Sequence, residues 1–230
     1  MKWFMVVLAS LWVGGAMAES PEGGRLTVVG EGIADAVPDM ATITLGVTAE
    51  SKTAADALRQ TSVATAEVLR LLADSGVGPR DMQTSNLSLS PIWDNSSSLG
   101  GERGINRYQA NNTVVVRVRE LDGLGKILDA VVDQGANTFN GLSFGLQDPG
   151  PAQDAARQAA VAEALRKAAL YAKAAGLVLG PVLELSESGA SAPQPMAMER
   201  MVSFADSVPV TQGEVSLQAS VTMVFALSEK

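Results

Sequence analysis

Residues 76–91, GVGPRDMQTSNLSLSP, form a polar run that decides how the chain passes from a helix to a strand. Gly76 stands where a helix needs a left-handed stop, and Pro79 prevents the helix from continuing. From Thr84 to Leu89 polar and apolar residues alternate, which predicts a strand that ends at Pro91. A catalytic serine or threonine would need a base to take its proton, and none is recognisable nearby. The run is therefore interpreted as a joint between two elements, not as an active site.

On the amino-terminal side of this joint, the residue pattern predicts two strands and a helix. Residues 25–32 form a short opening strand. Residues 41–49 alternate apolar side chains with threonine and glycine, which indicates a strand with one buried face. Thr53 and Asp56 form a capping-box-like start, so a helix is expected to run to about Asp74. Its predicted buried stripe consists of Ala55, Leu58, Ser62, Ala66, Leu69 and Leu72.

On the carboxyl-terminal side, the same patterns predict six further elements. They follow in the order strand, helix, strand, helix, strand, strand, at residues 108–119, 122–135, 142–146, 152–175, 182–187 and 215–227. The third helix is rich in alanine, and its predicted buried stripe consists of Val161, Leu165, Ala168, Ala172 and Ala175. The complete order, β-β-α-β-β-α-β-α-β-β, predicts an α+β fold in which three helices pack on a mixed or antiparallel sheet.

Three segments lie outside this pattern. Lys2, the apolar run 3–15 and the sequence Ala16-Met17-Ala18 predict a signal peptide over residues 1–18, cleaved after Ala18, which leaves a single domain over residues 19–230. No second long apolar run follows, so no stable membrane span is expected after cleavage. Residues 94–106 and 189–213 are rich in glycine, serine and proline, and we expect both to be mobile loops.

The composition restricts the chemistry that the protein can perform. The formal net charge is −8, and it becomes −9 once the leader with its Lys2 is removed. Such an acidic surface repels phosphate backbones, so nucleic acid is not expected as a partner. The chain has neither cysteine nor histidine, which excludes disulfides, thiolate nucleophiles, the usual base of a hydrolytic triad and the commonest zinc ligand. We therefore expect a protein that is not an enzyme and has no cofactor, no catalytic residue and no metal ligand.

Three groups of residues have a possible functional role beside an ordinary structural one. Glu31, Asp35 and Asp39 could act as paired acid/base carboxylates or hold calcium, but a loop between two strands carries such residues in any case. Gly30-x-Gly32 lacks the third glycine of a dinucleotide fingerprint and is interpreted as a tight turn or bulge. The third group, in the late loop, consists of Met196, Met198 and Met201. Their thioethers could bind Cu(I) or be oxidised, although ordinary contact residues are the favoured interpretation.

Short motifs are distributed along nearly the whole chain after the leader, from about Arg25 to Leu227. They are Val29-Gly30-Glu31-Gly32, Pro38-Asp39, Gly76, Asp81-x-Gln83-Thr84, Leu89-x-Pro91, Tyr108-x-Ala110, Gly135-Ala136, Phe144, Lys167-Ala168, Tyr171-Ala172 and Gly176. In this order they resemble the SIMPL-domain family, bacterial secreted proteins that include the periplasmic immunogenic proteins. The resemblance implies a periplasmic location, an α+β fold, an association with envelope or oxidative-stress defence, and a tendency to self-assemble. It supplies no catalytic residues.

Three hypotheses about function follow. The first is an exported, non-enzymatic protein that forms a homo-oligomer in the envelope, since long amphipathic strands present edges that must be paired or covered. The second is a small-ligand binding module, with residues 94–106 and 189–213 framing a cleft. The third and least favoured is an enzyme that uses carboxylates alone, for example on glycans.

Overall fold

The structure is a computed structural model that describes residues 24–93, 104–188, 194–196 and 210–230. The predicted leader and most of the two predicted loops lie outside these ranges, as do Met198 and Met201, so these predictions stand as they were made. Residues 105 and 106 already belong to a strand, and a three-residue strand lies within the second loop.

The α+β class and the predicted order of elements are confirmed. The elements are β1 (Gly24–Ala36), β2 (Met40–Ser51), α1 (Ala54–Asp74), β3 (Met82–Trp93), β4 (Ile105–Val118), α2 (Leu124–Asp133), β5 (Thr138–Gly145), α3 (Gly150–Ala174), β6 (Val178–Ser188), β7 (Gln194–Met196) and β8 (Glu214–Ser228). The strands are divided between two antiparallel sheets. One has the order β3-β4-β2-β5, and the other has the order β1-β8-β6, with β7 also paired to β8.

The first sheet carries α1 and α2 on one face. Alternate residues of β2 and β4, among them Ile43, Leu45, Val114 and Val116, meet the apolar sides of both helices in one core. In α2 the buried residues are Leu124, Ile127, Leu128 and Val131. The predicted stripe of α1 is largely wrong, because only Leu72 of its six members is buried. The residues of α1 that are buried are Ala57, Thr61, Thr65, Val68 and Leu72.

A hydrogen bond to the backbone explains why Thr61 lies on the buried side of α1. The hydroxyl of Thr61 donates to the carbonyl of Ala110 in β4 at 3.3 Å, so this side chain is buried with a partner. Hydropathy alone places threonine on the solvent side of a helix, which is why the predicted stripe was rotated away from the observed one.

The second sheet is covered by α3, which packs on β1 and β8. The helix meets the sheet with an unbroken row of alanines, one every fourth residue, at positions 156, 160, 164, 168 and 172. The predicted turn or bulge at Gly30 and Gly32 is wrong, because β1 pairs with β8 without interruption through both residues. Their role is close packing: a Cβ atom added to Gly32 would lie 2.0 Å from the carbonyl oxygen of Ala156.

The run 76–91 is confirmed as a joint. Gly76 adopts a φ of +91° after α1, and a 3₁₀ turn at Pro79–Asp81 leads directly into β3. The prediction that the strand ends at Pro91 is wrong, since β3 continues to Trp93. Proline is accommodated there because β3 is an edge strand, on which one side of the backbone needs no ladder partner.

Candidate functional site

A polar cleft of about 600 Å³ lies where the two sheets are joined. One side of it is the turn after α1, including Gly76 and Asp81, and another is the end of β4 with Arg117 and Arg119. The connection from β1 to β2 adds Asp39. Pro38-Asp39, Gly76 and Asp81, which are separate motifs in the sequence, therefore come together at one place.

Asp81 is the centre of this cleft. Its carboxylate accepts two hydrogen bonds from Arg119, from Nε at 2.7 Å and from Nη2 at 2.8 Å, and it pairs with Nε of Arg117 at 3.2 Å. The Asp81 side chain is only 11% exposed, whereas both arginines are 47% exposed. Pairing of β3 with β4 brings these residues together, because Met82 lies opposite Val116. Bidentate arginine–carboxylate pairs fix geometry as well as charge.

The ion pair also shifts the pKa values of Asp81 and Arg119. Hydrogen bonding from Arg119 lowers the pKa of Asp81, and the same contact raises the pKa of Arg119. The carboxylate is therefore ionised at neutral pH and is a weak base. Such a pair is better suited to holding segments of the chain together than to proton transfer, because proton transfer works best with a pKa near the working pH.

Hydrogen bonds extend from this ion pair across the junction between the two sheets. Nη1 of Arg119 donates to Oε1 of Gln147 at 3.1 Å, and the backbone N–H of Gln147 donates to Oδ1 of Asp39 at 2.7 Å. Nε2 of Gln147 donates to the carbonyl of Asp39 at 2.9 Å. The segments that lead from β1 to β2 and from β5 to α3 are thus tied to the end of β4.

Replacing Asp81 by asparagine is expected to lower the melting temperature at pH 7 by about 3 °C. The pKa of Asp81 lies below its ordinary value of 3.8 in the folded protein and returns to it on unfolding. The stabilisation is therefore complete above the unfolded pKa and is lost as the pH falls through the lower folded pKa. The gap between wild type and Asp81→Asn should be widest above about pH 5 and should shrink below about pH 4.

Thermal unfolding followed by circular dichroism from pH 7 to pH 2.5 measures this gap. Asp74→Asn is the matched control, because Asp74 pairs with Arg70 on an exposed helix surface. Surface pairs of this kind contribute little, so its melting temperature should stay within about 1 °C of wild type. An Asp81→Asn gap that did not change with pH would contradict the assignment.

The three carboxylates considered as a site do not form one. Glu31 and Asp35 lie within β1, so the interpretation of these residues as part of a loop is wrong. Oδ1 of Asp35 accepts from the hydroxyl of Ser216 at 2.5 Å, while Asp39 belongs to the junction. Over the residues that the structure describes, no three acidic side chains converge in a way that could hold a metal ion.

The outer edge of β1 is covered by side chains of α3. The carboxylate of Glu163 accepts a hydrogen bond from the backbone N–H of Glu31 at 2.6 Å, and Nζ of Lys167 donates to the carbonyl of Val29 at 3.0 Å. The two side chains also pair with each other at 3.2 Å. The two side chains take the place of a neighbouring strand, which is one way in which proteins protect a sheet edge.

The β3–β4 hairpin presents an apolar surface that α1 leaves open, because α1 packs mainly over β4 and β2. Four large side chains on it are exposed: Leu87 (56%), Leu89 (44%), Trp93 (52%) and Ile105 (45%). Leu87, Leu89 and Trp93 alternate along β3 and so share a face, and Trp93 lies opposite Ile105. We call these four residues the hairpin face. The alternation of Leu87 and Leu89 was visible in the sequence, but the missing cover was not.

In the described part of the chain, none of the helices has the length and apolar character needed to cross a membrane. β7 ends at Met196, the one member of the predicted methionine group that falls within the described residues. The cleft predicted between residues 94–106 and 189–213 depends on residues outside that part.

Comparison with known proteins finds one family model and several relatives, each of which matches most of this chain. Residues 26–225 match the family model SIMPL, described as a protein of unknown function (DUF541). The 26 kDa periplasmic immunogenic protein of Brucella melitensis biotype 1 is 38% identical over 213 residues, which cover 88% of this chain and 84% of the relative. The uncharacterized protein YggE of Escherichia coli strain K12 is 32% identical over 225 residues, covering 96% of this chain and 89% of the relative.

Proposed function

The chain belongs to the SIMPL family, and we propose that it is an exported periplasmic protein that acts without catalysis, by assembling into a homo-oligomer in the bacterial envelope. Two observations support the periplasmic location. The leader pattern in residues 1–18 is that of a secreted protein, and the Brucella relative is named as periplasmic.

The proposal of self-assembly rests on the hairpin face. Three of its four exposed side chains alternate along β3 and the fourth lies opposite Trp93, beside the free edge of β3. Isolated exposed apolar residues are normal on a protein surface, but a contiguous patch next to an unpaired strand favours association. A second copy of the chain supplies both an apolar surface and a free edge of matching length, so it is the simplest partner.

The contrast between two edges of the fold strengthens this argument. At β1, Glu163 and Lys167 occupy the outer hydrogen-bonding groups and place charges there. The twelve residues of β3, by comparison, include no charged side chain. The bulge at Thr84–Asn86 and Pro91 limit the regular part of the edge to the residues between them, which include Leu87 and Leu89.

The non-enzymatic part of the proposal rests on the polar cleft and on composition. The chain contains no histidine and no cysteine, and the most buried acid of the cleft is held by two arginines. A carboxylate-only enzyme needs two acids across a substrate, one of which has a raised pKa. The shift at Asp81 is in the opposite direction.

Light scattering on the purified protein tests the assembly. We expect a molar mass that is a multiple of the chain mass, and we expect the double variant Leu87→Lys/Leu89→Lys to have the mass of a single chain. Both side chains are exposed in the single chain, so the variant should keep its fold, while two lysines in an apolar contact would repel and lose hydration.

The matched control is Val37→Lys/Val63→Lys, which introduces the same charges at exposed valines outside the hairpin face. This control should assemble like wild type. A wild-type protein that stays a single chain over a hundredfold concentration range would refute self-assembly. Unchanged assembly of the Leu87→Lys/Leu89→Lys variant would refute the role of the hairpin face.

The proposal extends to the envelope or oxidative-stress defence that the family resemblance implies. A strain that lacks the gene is expected to survive peroxide less well than its parent. Complementation with the wild-type gene should restore survival, and complementation with the Leu87→Lys/Leu89→Lys variant should not. Equal survival of all four strains would remove the stress role while leaving the light-scattering result intact.

A further inference from the structure

A second cleft, of about 490 Å³, opens between the end of α2 and the start of β5. Its floor consists of apolar side chains that also belong to the core, among them Leu45, Leu128 and Val131. Phe139 forms one wall, and its ring is 55% exposed although it lies directly opposite Leu45 in the sheet. The volume falls in the range of small-molecule sites, which are mostly apolar with a few placed polar groups.

The backbone explains why the space is left open. The chain reverses at Gly135, which has a φ of +104° after α2, and β5 then runs beside β2. The pairing of these strands shifts at Thr44 and Leu45, and Asn140 bulges out of the ladder. The bulge separates Phe139 from the regular part of the strand, next to the end of the helix.

Two acidic residues are among those that line this cleft. Asp129 and Asp133 both line it and are one helical turn apart on α2. Among the described residues, no lysine or arginine lies within ion-pair distance of either carboxylate. The cleft therefore combines two acidic residues with an apolar floor.

We propose that this cleft binds small hydrophobic amines in their protonated form. An apolar body would cover Leu45, Leu128 and Val131 and so be removed from water. The ammonium group would lie at Asp129 and Asp133, where attraction to two carboxylates is stronger than in bulk water. The exposed ring of Phe139 adds a face that attracts cations. The net charge of −8 raises the local concentration of such ligands.

This site is independent of assembly and differs from the polar cleft. In the polar cleft, the most buried carboxylate, that of Asp81, is already paired with Arg117 and Arg119 and is not free for an ammonium group. An anion would be repelled by the rim of the apolar cleft, and a neutral ligand would gain only the contact with the floor. The expected order of affinity is therefore cation, then neutral, then anion.

Three probes with the same aromatic body test this order. They are 4-phenylbutylamine, 4-phenylbutanol and 4-phenylbutyrate, titrated into the purified protein at pH 7 and followed by calorimetry. We expect the amine to bind at least about tenfold more tightly than the alcohol, and the butyrate to bind more weakly than either. The preference for the amine should decrease as salt is added, because partly exposed charges are screened.

Variants locate the site and separate its two parts. Asp129→Asn/Asp133→Asn should bring the affinities of amine and alcohol to within about twofold of each other without weakening the alcohol, and Phe139→Ala should weaken both. The matched control is Glu120→Gln/Asp122→Asn, which removes the same charge from the polar cleft and should behave as wild type. Failure of the amine to bind saturably, or a preference unaffected by Asp129→Asn/Asp133→Asn, would overturn the proposal. Either result would leave the proposed assembly unaffected.

Discussion

Replacing Gly32 by alanine is expected to lower the free energy of unfolding by about 3 kcal/mol or more, an unusually large effect for one methyl group. The new Cβ atom would lie 2.0 Å from the carbonyl oxygen of Ala156 and 2.3 Å from the backbone nitrogen of Ala160. Both atoms belong to the backbone of α3, so no side chain can rotate away to make room. The helix would have to move off β1, which would open the alanine contacts along its length.

Urea unfolding followed by circular dichroism measures the effect, with Gly78→Ala as the control. Gly78 has an extended backbone, with φ −69° and ψ 152°, and an added Cβ atom would meet only Oδ2 of Asp81 at 3.8 Å. Alanine at such a position restricts the unfolded chain without strain in the folded one, so the control should be neutral or slightly stabilising. A Gly32→Ala protein within 1 kcal/mol of wild type would contradict the close packing of α3 on β1.

The same contact shows what sequence patterns predict poorly. The predicted stripe of α3 favoured its larger apolar residues, including Val161 and Leu165, because hydropathy ranks side chains by the apolar area they can bury. The sheet below them carries Gly30 and Gly32, so only alanine fits, and Leu165 is exposed. Two of the five predicted residues, Ala168 and Ala172, are buried. The close approach of α3 to β1 requires small residues in both elements, glycine in the strand and alanine in the helix. A residue pattern within one element cannot reveal this, because the two sets of residues lie far apart in the sequence.

Elements with strong local signals were predicted well. β8 alternates over six buried positions from Val215 to Phe225, α2 has a clear apolar face, and α1 ends at a glycine with positive φ. Each of these signals lies within a few neighbouring residues. The division of the strands into two sheets depends on pairing between distant segments, such as β1 with β8, and no local pattern encodes it.

The candidate site was the hardest part to predict for the same reason. Asp81 was interpreted as one of several polar residues in a turn, which is correct for its place in the chain. Its partners Arg117 and Arg119 are more than thirty residues away and arrive through the pairing of β3 with β4. The hairpin face likewise depends on where α1 lies, since the amphipathic pattern of β3 is the same whether or not a helix covers it.

Replacing Phe225 by alanine is expected to destabilise the protein by about 3–5 kcal/mol, near the upper end for such a change. Phe225 is 1% exposed and is among the largest fully buried side chains of the described residues. The cost of a cavity depends on how far its surroundings can collapse into it. Phe225 shares its core with four alanines of α3, which have no side-chain torsion to adjust, and the helix is held in place by its contacts with Gly30 and Gly32.

Phe139→Ala is the matched control, because it removes the same atoms from a ring that is half exposed at the rim of the apolar cleft. Its cost in urea unfolding should stay below about 1 kcal/mol, since most of the lost contact was with water. Similar costs for the two variants would mean that the core between α3 and its sheet relaxes freely. A cost at Phe225 larger than the loss of buried apolar area alone would indicate a rigid helix that cannot close the cavity, and this is the same rigidity that forbids a methyl group at Gly32.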